Sequence, residues 1–174
     1  VRQLDLDQLR RIYRGRTADW KSVGGEPGRI AAFGREAGSG TSDFFRERVL
    51  KNADFGQHVR CLPGTAAVVD AVSRDPLAIG YGGIAYCRGV RVLKIGAGGG
   101  KPAVPPDMHS VVGGKYPMCR KLFFYAAAEE GGTAEFISWV LSDKGQRACG
   151  EAGYFPLTRG SPSAGGSRRA GRTP

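Results

Sequence analysis

The chain has 174 residues, of which 41% are hydrophobic, and it carries a formal net charge of +10. This length suffices for one domain with a hydrophobic core or for part of a larger two-lobed protein, and no apolar run reaches the roughly 18 residues of a membrane-spanning helix. The positive charge favours an anionic partner, but because the basic residues are not concentrated on one element with interleaved aromatics, we expect no nucleic-acid binding.

The first predicted element is a helix that Asp5 caps and Gly15 ends. Gln8 follows Asp5 by three residues, the spacing of a capping box. The apolar residues of this helix fall on one face: Leu6, Leu9 and Tyr13. A polar, glycine-rich loop covers residues 16–28.

A strand, a tight turn and a second helix are predicted next. Residues 29–33 form the strand, and residues 34–41, with the sequence GREAGSGT, form the turn. The helix covers residues 42–50, with Phe45 and Val49 on its apolar face.

Strands and helices continue to alternate in the rest of the chain. A strand around residues 58–62 precedes a helix that Thr65 caps and Pro76 ends. Val68, Val69 and Val72 are predicted to face inward. The elements that follow are a buried strand with a turn (77–86), a strand (90–95), a glycine- and proline-rich loop (96–106) and a strand (122–126). This alternation predicts an α/β fold.

The C-terminal part is predicted to hold a last helix and a basic tail. Thr133 caps the helix, which carries a strong apolar stripe formed by Phe136, Ile137, Val140 and Leu141. Residues 159–174 contain no large apolar side chain, so they are predicted to be disordered.

The turn at residues 34–41 is predicted to bind an anion. The first N–H groups of a helix have no internal partners, and the helix dipole places partial positive charge there. Gly38 and Gly40 let the backbone approach a ligand, Ser39 and Thr41 add hydroxyl donors, and Arg35 is placed to pair with two anion oxygens. An ordinary strand-to-helix turn with a surface arginine has the same local pattern.

Two motifs resemble the phosphate-binding proteins of ATP-driven phosphate importers. The first is a G-x-x-x-x-W segment after a short helix, matched by Gly15 and Trp20. The second is an R-x-x-G-S-G-T turn that opens a helix, matched by Arg35, Gly38, Ser39, Gly40 and Thr41. Further pieces follow in the family's order at residues 68–81, 116–120, 136–146 and 153–157, so the resemblance runs from about residue 4 to residue 158.

The resemblance implies a type II periplasmic-binding-protein-like fold, in which two α/β lobes close on the anion by a hinge motion. It implies that residues 1–117 form most of the anion-binding lobe. Residues 118–158 would supply the hinge-crossing strand and the C-terminal helix of the other lobe. The matched residues Arg35, Ser39, Gly40 and Thr41 would then provide one lobe's share of the phosphate contacts.

The implied function is non-enzymatic capture of inorganic phosphate for import. The implied partners are phosphate and the membrane permease of the importer, and the implied location is the periplasm or cell envelope. From the sequence we expect no signal peptide in this chain, and we expect a monomer without a cofactor. The family's opening lobe, with a second anion loop and an acidic acceptor for the phosphate proton, is absent from this sequence. We therefore expect a fragment or a degenerate relative, with either aggregation or a partly exposed apolar patch.

Two other functions use the same residues. Binding of sulfate remains open, because rejecting sulfate requires a buried acceptor; Glu36 is the nearest carboxylate in sequence, but we expect it to be solvated at the surface. The second alternative is a structural or interaction protein that kept the fold and lost the ligand.

Enzymatic functions fit the sequence poorly. Residues 96–102 look like a phosphate-binding P-loop, but Lys101 is followed by Pro102 where Ser or Thr is required. Ser39 has no histidine nearby in sequence to act as a base. The four cysteines are isolated, so we expect no zinc or other metal site; one or two disulfides remain open beside four small core residues.

Overall fold

The computed structural model describes residues 1–127 and 130–157, in which helices and short parallel strands alternate. The strands are β1 (Gln3–Asp5), β2 (Ala31–Arg35), β3 (Arg60–Leu62), β4 (Ala78–Ile79) and β5 (Lys94–Gly96). The helices are α1 (Leu6–Tyr13), α2 (Gly40–Phe45), α3 (Gly64–Arg74), α4 (Met108–Val112), α5 (Gly132–Leu141) and α6 (Asp143–Glu151). Single 3-10 turns occur at Trp20–Val23 and Ile84–Tyr86, and α2 continues as a π-helical segment, Arg46–Leu50. The predicted basic tail, together with residue 158, lies outside the described residues.

Helix α1 begins as its sequence predicts. The Asp5 carboxylate accepts a hydrogen bond from the Gln8 amide at 2.7 Å, and the Gln8 side chain accepts one from the Asp5 amide at 2.9 Å. This reciprocal pair is a capping box, and it satisfies two N–H groups that the helix itself cannot. The helix ends at Tyr13, and Gly15, with φ of +75°, reverses the chain. The predicted helix start and stop are both confirmed.

Strand β2 is the centre of a three-stranded parallel sheet with the order β3-β2-β4. Gly34 pairs with Cys61 of β3, and Ala32 pairs with Ile79 of β4. A second, two-stranded parallel sheet joins β1 to β5. Because all three strands of the first sheet run in the same direction, the residues that follow β2, β3 and β4 meet at one edge.

The hydrophobic core lies between residues 4 and 95, and four aromatic rings form one side of it. Tyr81 stacks on Phe45 with ring centroids 3.9 Å apart, and Tyr13 meets Phe45 edge-on at 4.6 Å. Phe55 lies beside these rings at 6.0 to 6.3 Å. Both Tyr13 and Phe45 are at most 2% exposed, so this cluster fixes α1 and α2 against the end of the sheet.

Two predicted helix caps are wrong. Helix α3 begins at Gly64, directly after Pro63, and Thr65 lies inside its first turn. Helix α5 begins at Gly132, after Gly131 with φ of +76°, so Thr133 is also internal. In both cases a glycine begins the helix one residue before the threonine, so the backbone turn determines the start of the helix.

The strand predicted at residues 122–126 is wrong as well. This segment pairs with no strand in the part of the chain that the structure describes, and its side chains are exposed, with Tyr125 93% accessible. Its apolar composition predicted burial, but a strand forms only where a neighbouring strand supplies hydrogen bonds. The other strands are confirmed but are shorter than predicted or displaced, with β4 reduced to two residues.

The C-terminal helices pack against each other, and their apolar side chains remain largely uncovered by the described residues. Phe136, Trp139 and Leu141 of α5 are 52%, 48% and 58% exposed, so the predicted apolar patch is present. Helices α4 and α6 were not predicted, although Asp107 and Ser142 cap them through the amides of Ser110 and Gly145. Within residues 1–127 and 130–157, no helix combines the length and apolarity needed to cross a membrane.

Candidate anion-binding site

The predicted anion turn lies at the edge of the sheet where β2 ends at Arg35. The chain reverses through Gly38, whose φ of +82° is accessible to glycine at little cost. Ser39 then has extended backbone angles and is the N-cap of α2, which begins at Gly40. The structure therefore brings the predicted residues together around the first turn of one helix, which begins two residues earlier than the predicted start at residue 42.

Several donors of this turn are not used within the described residues. The Ser39 hydroxyl oxygen accepts long hydrogen bonds from the amides of Thr41 (3.3 Å) and Ser42 (3.5 Å). Neither the Ser39 nor the Thr41 hydroxyl donates to another described group, and the Gly40 amide has no acceptor there. Gly38 and Gly40 are exposed. Ser39 is only 8% exposed and Thr41 is half-buried. Two hydroxyls and one helical N–H thus lie unused at the positive end of the helix dipole, beside the exposed Gly38 and Gly40.

The Arg35 guanidinium, by contrast, already has partners. Its Nε and Nη2 donate to the two carboxylate oxygens of Glu36 at 3.0 and 2.8 Å, and its Nη1 donates to the Thr65 hydroxyl at 2.8 Å. One N–H remains on each terminal nitrogen. The Arg35 side chain is 12% exposed and that of Glu36 is 43% exposed, so the expectation that Glu36 is merely solvated at the surface is wrong.

Glu36 is held as a carboxylate by this arrangement. The hydrogen bonds from Arg35, followed by those from the backbone amides of Glu36 and Gly64, lower the pKa of Glu36 from 4.5 to about 2. The Gly64 amide, at the start of α3, donates to Glu36 Oε2 at 3.0 Å. Hydrogen bonding to Glu36 also raises the pKa of Arg35. The site is therefore a fixed ion pair beside a set of unused donors.

Two further residues fix this edge of the sheet, and sequence reasoning missed both. The Tyr81 hydroxyl accepts from the Arg35 amide at 3.2 Å and donates to the Ser42 hydroxyl at 3.3 Å. Arg120 donates from Nη1 to the Gly40 carbonyl oxygen at 2.7 Å. The signal for Tyr81 was its place two residues after β4, since the residues that follow neighbouring parallel strands converge. No comparable local signal identifies Arg120.

The turn has no arrangement for nucleophilic catalysis among the described residues. His58 hydrogen-bonds through Nε2 to the Ile12 carbonyl oxygen at 3.0 Å and forms no hydrogen bond with Ser39 among the described residues. No cluster of histidine, cysteine, aspartate and glutamate that could hold a metal ion is found in residues 1–127 and 130–157. The cysteines at positions 61, 87, 119 and 149 are free thiols. The unused donors can bind an oxyanion.

The chain is similar to known phosphate-binding proteins. The family model described as a PBP superfamily domain matches residues 1–144. The phosphate-binding protein PstS of Pseudomonas aeruginosa is 34% identical over 149 residues, which cover 82% of this chain and 45% of that protein. PstS of Staphylococcus haemolyticus is 31% identical over 164 residues, covering 88% and 51%. The chain therefore spans about half the length of the curated relatives it matches.

Solved structures give the same result. A Clostridium perfringens protein described as a phosphate ABC transporter substrate-binding protein, with bound phosphate, superposes with a TM-score of 0.78 at 27% identity, covering 91% of this chain and 64% of that one. An ABC-type phosphate transport receptor from Vibrio cholerae gives 0.73 at 25% identity, with 89% and 64% covered. The predicted family resemblance and the incomplete type II periplasmic-binding-protein-like fold are confirmed. The chain belongs to the PBP superfamily.

Proposed function

We propose that this member of the PBP superfamily is the non-enzymatic component that captures inorganic phosphate for an ATP-driven importer. The observation that carries the proposal is the turn before α2, where the Gly40 amide and the hydroxyls of Ser39 and Thr41 are unused donors beside a fixed arginine. Relatives named as phosphate-binding proteins support phosphate as the anion. Two similar solved structures are described as a phosphate ABC transporter substrate-binding protein and an ABC-type phosphate transport receptor, which accords with a non-enzymatic role.

In this proposal Arg35 and the turn divide the contacts to phosphate. Arg35 offers the two N–H groups that Glu36 and Thr65 leave unused, one on each terminal nitrogen, which is the spacing of a bidentate pair with two phosphate oxygens. Gly40 contributes its amide, and Ser39 and Thr41 contribute hydroxyl protons. Gly38 makes the reversal that lets these donors face the same ligand.

We further propose that residues 1–117 form most of one anion-binding lobe and that residues 118–158 cross to the other. The buried hydrophobic residues support the first assignment, because all of those described lie between residues 4 and 95. The exposed aromatic residues of 122–141 are consistent with a surface that a second lobe would cover. A membrane permease as partner, a periplasmic or cell-envelope location and a monomeric state belong to the same proposal.

A second candidate function is a structural or interaction protein that has lost the ligand. One observation favours it: the Glu36 carboxylate already occupies three of the donors at this edge, two on Arg35 and one at Gly64. If those bonds satisfy the guanidinium fully, an external anion gains little. A third candidate, sulfate binding, uses the same donors and differs only in the proton that phosphate carries.

An amide NMR titration of the 174-residue chain with phosphate, and then with sulfate, distinguishes these candidates. With donors from one lobe only, we expect a dissociation constant on the order of millimolar, which corresponds to about 4 kcal/mol. Shifts should be confined to residues 35 and 38–41 and should vanish in Arg35→Ala. Arg74→Ala is the matched control, because Arg74 is exposed and pairs only with Asp70.

Each outcome of the titration selects one candidate. Localised shifts that need Arg35 support phosphate capture, and an equal response to sulfate would show that this chain does not select between the two anions. A folded sample with no localised shift would contradict phosphate binding and favour the structural or interaction protein.

A further inference from the structure

We infer that Tyr81 is a positioning residue for the proposed anion site: its hydroxyl ties the end of β2 to the first turn of α2 and so holds the donors between them in one arrangement. The inference rests on the proposed function for the identity of the ligand. Tyr81 itself is not assigned a contact with the anion.

The two hydrogen bonds of the hydroxyl bracket the turn. On one side it accepts from the Arg35 amide at 3.2 Å, and on the other it donates to the Ser42 hydroxyl at 3.3 Å. Every donor proposed to bind the anion from the turn, from Gly38 to Thr41, lies in the chain between these two attachment points. A single oxygen atom therefore closes the base of a loop that otherwise projects from the sheet.

The hydroxyl is itself held rigidly, because packing fixes the Tyr81 ring. The ring stacks on Phe45 at 3.9 Å with planes 12° apart, and Tyr13 meets it edge-on at 5.6 Å. Tyr81 follows β4 by two residues, so the sheet also fixes its backbone. A tyrosine hydroxyl is protonated at neutral pH and can therefore donate to Ser42, and burial raises the pKa of Tyr81 further.

The sequence of β2 leaves room for this approach. A Cβ atom on Gly34 would lie 3.3 Å from the Tyr81 hydroxyl oxygen and 3.2 Å from Val59, tighter than ordinary contacts. The absence of a side chain at Gly34 thus lets the hydroxyl reach the backbone at Arg35. Without the hydroxyl, the Arg35 amide would lose its acceptor, and the turn would have to be ordered by the ligand on binding, which weakens affinity.

Tyr81→Phe tests the inference, because phenylalanine keeps the stacked ring and removes only the hydroxyl. We expect the dissociation constant for inorganic phosphate to rise about tenfold, equivalent to about 1.4 kcal/mol. Ser42→Ala, which removes one of the two bonds, should give a smaller rise. The matched control is Tyr116→Phe, because Tyr116 packs against the core while its hydroxyl bonds to no described residue.

Amide hydrogen exchange without phosphate gives a readout that does not depend on binding. In Tyr81→Phe, exchange at residues 35, 39, 41 and 42 should accelerate about tenfold, while α1 and the global unfolding free energy change little. Unchanged affinity and unchanged exchange in a folded Tyr81→Phe protein would overturn the inference and leave the proposed function intact. If the wild type fails to bind phosphate, the proposed function fails, and the exchange data alone decide whether Tyr81 holds the turn. Should Tyr81→Phe not fold, the same two measurements on Ser42→Ala decide the question.

Discussion

Residues 4–95 and residues 122–157 both contain large apolar side chains. Those of the first stretch are mostly buried, whereas those of the second stretch are largely exposed. The buried hydrophobic residues of the described chain all lie in the first stretch, in a layer of helices against parallel strands. In the second stretch Phe123, Phe124 and Tyr125 are 70%, 57% and 93% exposed, and α5 packs against α6. An apolar stripe therefore specifies which face of an element avoids water, whereas its burial depends on another part of the chain.

The largest expected effect comes from comparing two phenylalanines on helices, one in each stretch. Phe45 is 2% exposed and Phe136 is 52% exposed. Phe45→Ala should lower the free energy of unfolding by about 3–5 kcal/mol, because it empties the centre of the aromatic cluster. Phe136→Ala should lower the free energy of unfolding by less than about 1 kcal/mol, since among the described residues its ring contacts the rings of Phe124 and Trp139.

Urea denaturation of both variants, monitored by circular dichroism, measures this difference in unfolding free energy. Equal losses of stability would mean that the second stretch is buried in solution, for example by self-association. Repeating the measurement over a range of protein concentrations would detect that association directly.

A second, spectroscopic effect follows from the two tryptophans. Trp20 is 8% exposed and donates from Nε1 to the Leu77 carbonyl at 2.8 Å, whereas Trp139 is 48% exposed. In the single-tryptophan variants Trp139→Phe and Trp20→Phe, we expect Trp139 to emit at longer wavelength and to be quenched several times more strongly by acrylamide. Similar quenching of the two indoles would show that the stretches are equally covered.

The sequence predicts an element correctly when the residues that form it are close together in the chain. The prediction is wrong when the element depends on a residue or strand that is distant in sequence. Helix α1 was predicted correctly because Asp5, Gln8 and Gly15 act within one or two turns. The strand at residues 122–126 was wrong because a strand needs a neighbour that composition does not reveal. The predicted caps at Thr65 and Thr133 are wrong because a threonine that caps a helix and a threonine in its first turn give the same sequence pattern when a glycine precedes them.

The candidate site likewise has a part that is contiguous in sequence and could be predicted, and a part contributed by distant residues that could not. The turn from Arg35 to Thr41 is contiguous, so its glycines, hydroxyls and arginine could be predicted as a unit. Thr65 lies in the first turn of α3, after β3, and Tyr81 lies two residues after β4. They are 30 and 46 residues from Arg35 in sequence, and the strand order brings them to it. The Arg35–Glu36 pair was missed although the residues are adjacent, because the side-chain directions that join them depend on Gly64 and Thr65.

A third, smaller effect compares a true cap with an apparent one. Asp5→Ala should cost about 1 kcal/mol, because it removes the acceptor for the Gln8 amide at the start of α1. Thr133→Ala should cost less than about 0.5 kcal/mol, since Thr133 caps nothing and lies inside α5. Both values come from urea unfolding midpoints, and a substantial cost for Thr133→Ala would mean that α5 begins at that residue in solution.

The smallest expected effect is the dependence of stability on pH at Glu36. Its pKa is about 2 in the folded protein against an ordinary value of 4.5, so the folded state binds the proton less readily than the unfolded state does. The stabilisation is therefore complete above pH 4.5 and is lost as the pH falls toward 2. Because the Glu36 side chain is 43% exposed to solvent, the contribution is small.

In Glu36→Gln the charge is absent at every pH, so the difference in unfolding free energy from the wild type should be constant near neutrality and should vanish as the pH falls to about 2. Glu47→Gln is the control, as Glu47 is exposed and forms no ion pair among the described residues. A difference that persists at the lowest pH would mean that Glu36 acts through its shape and not through its charge on Arg35.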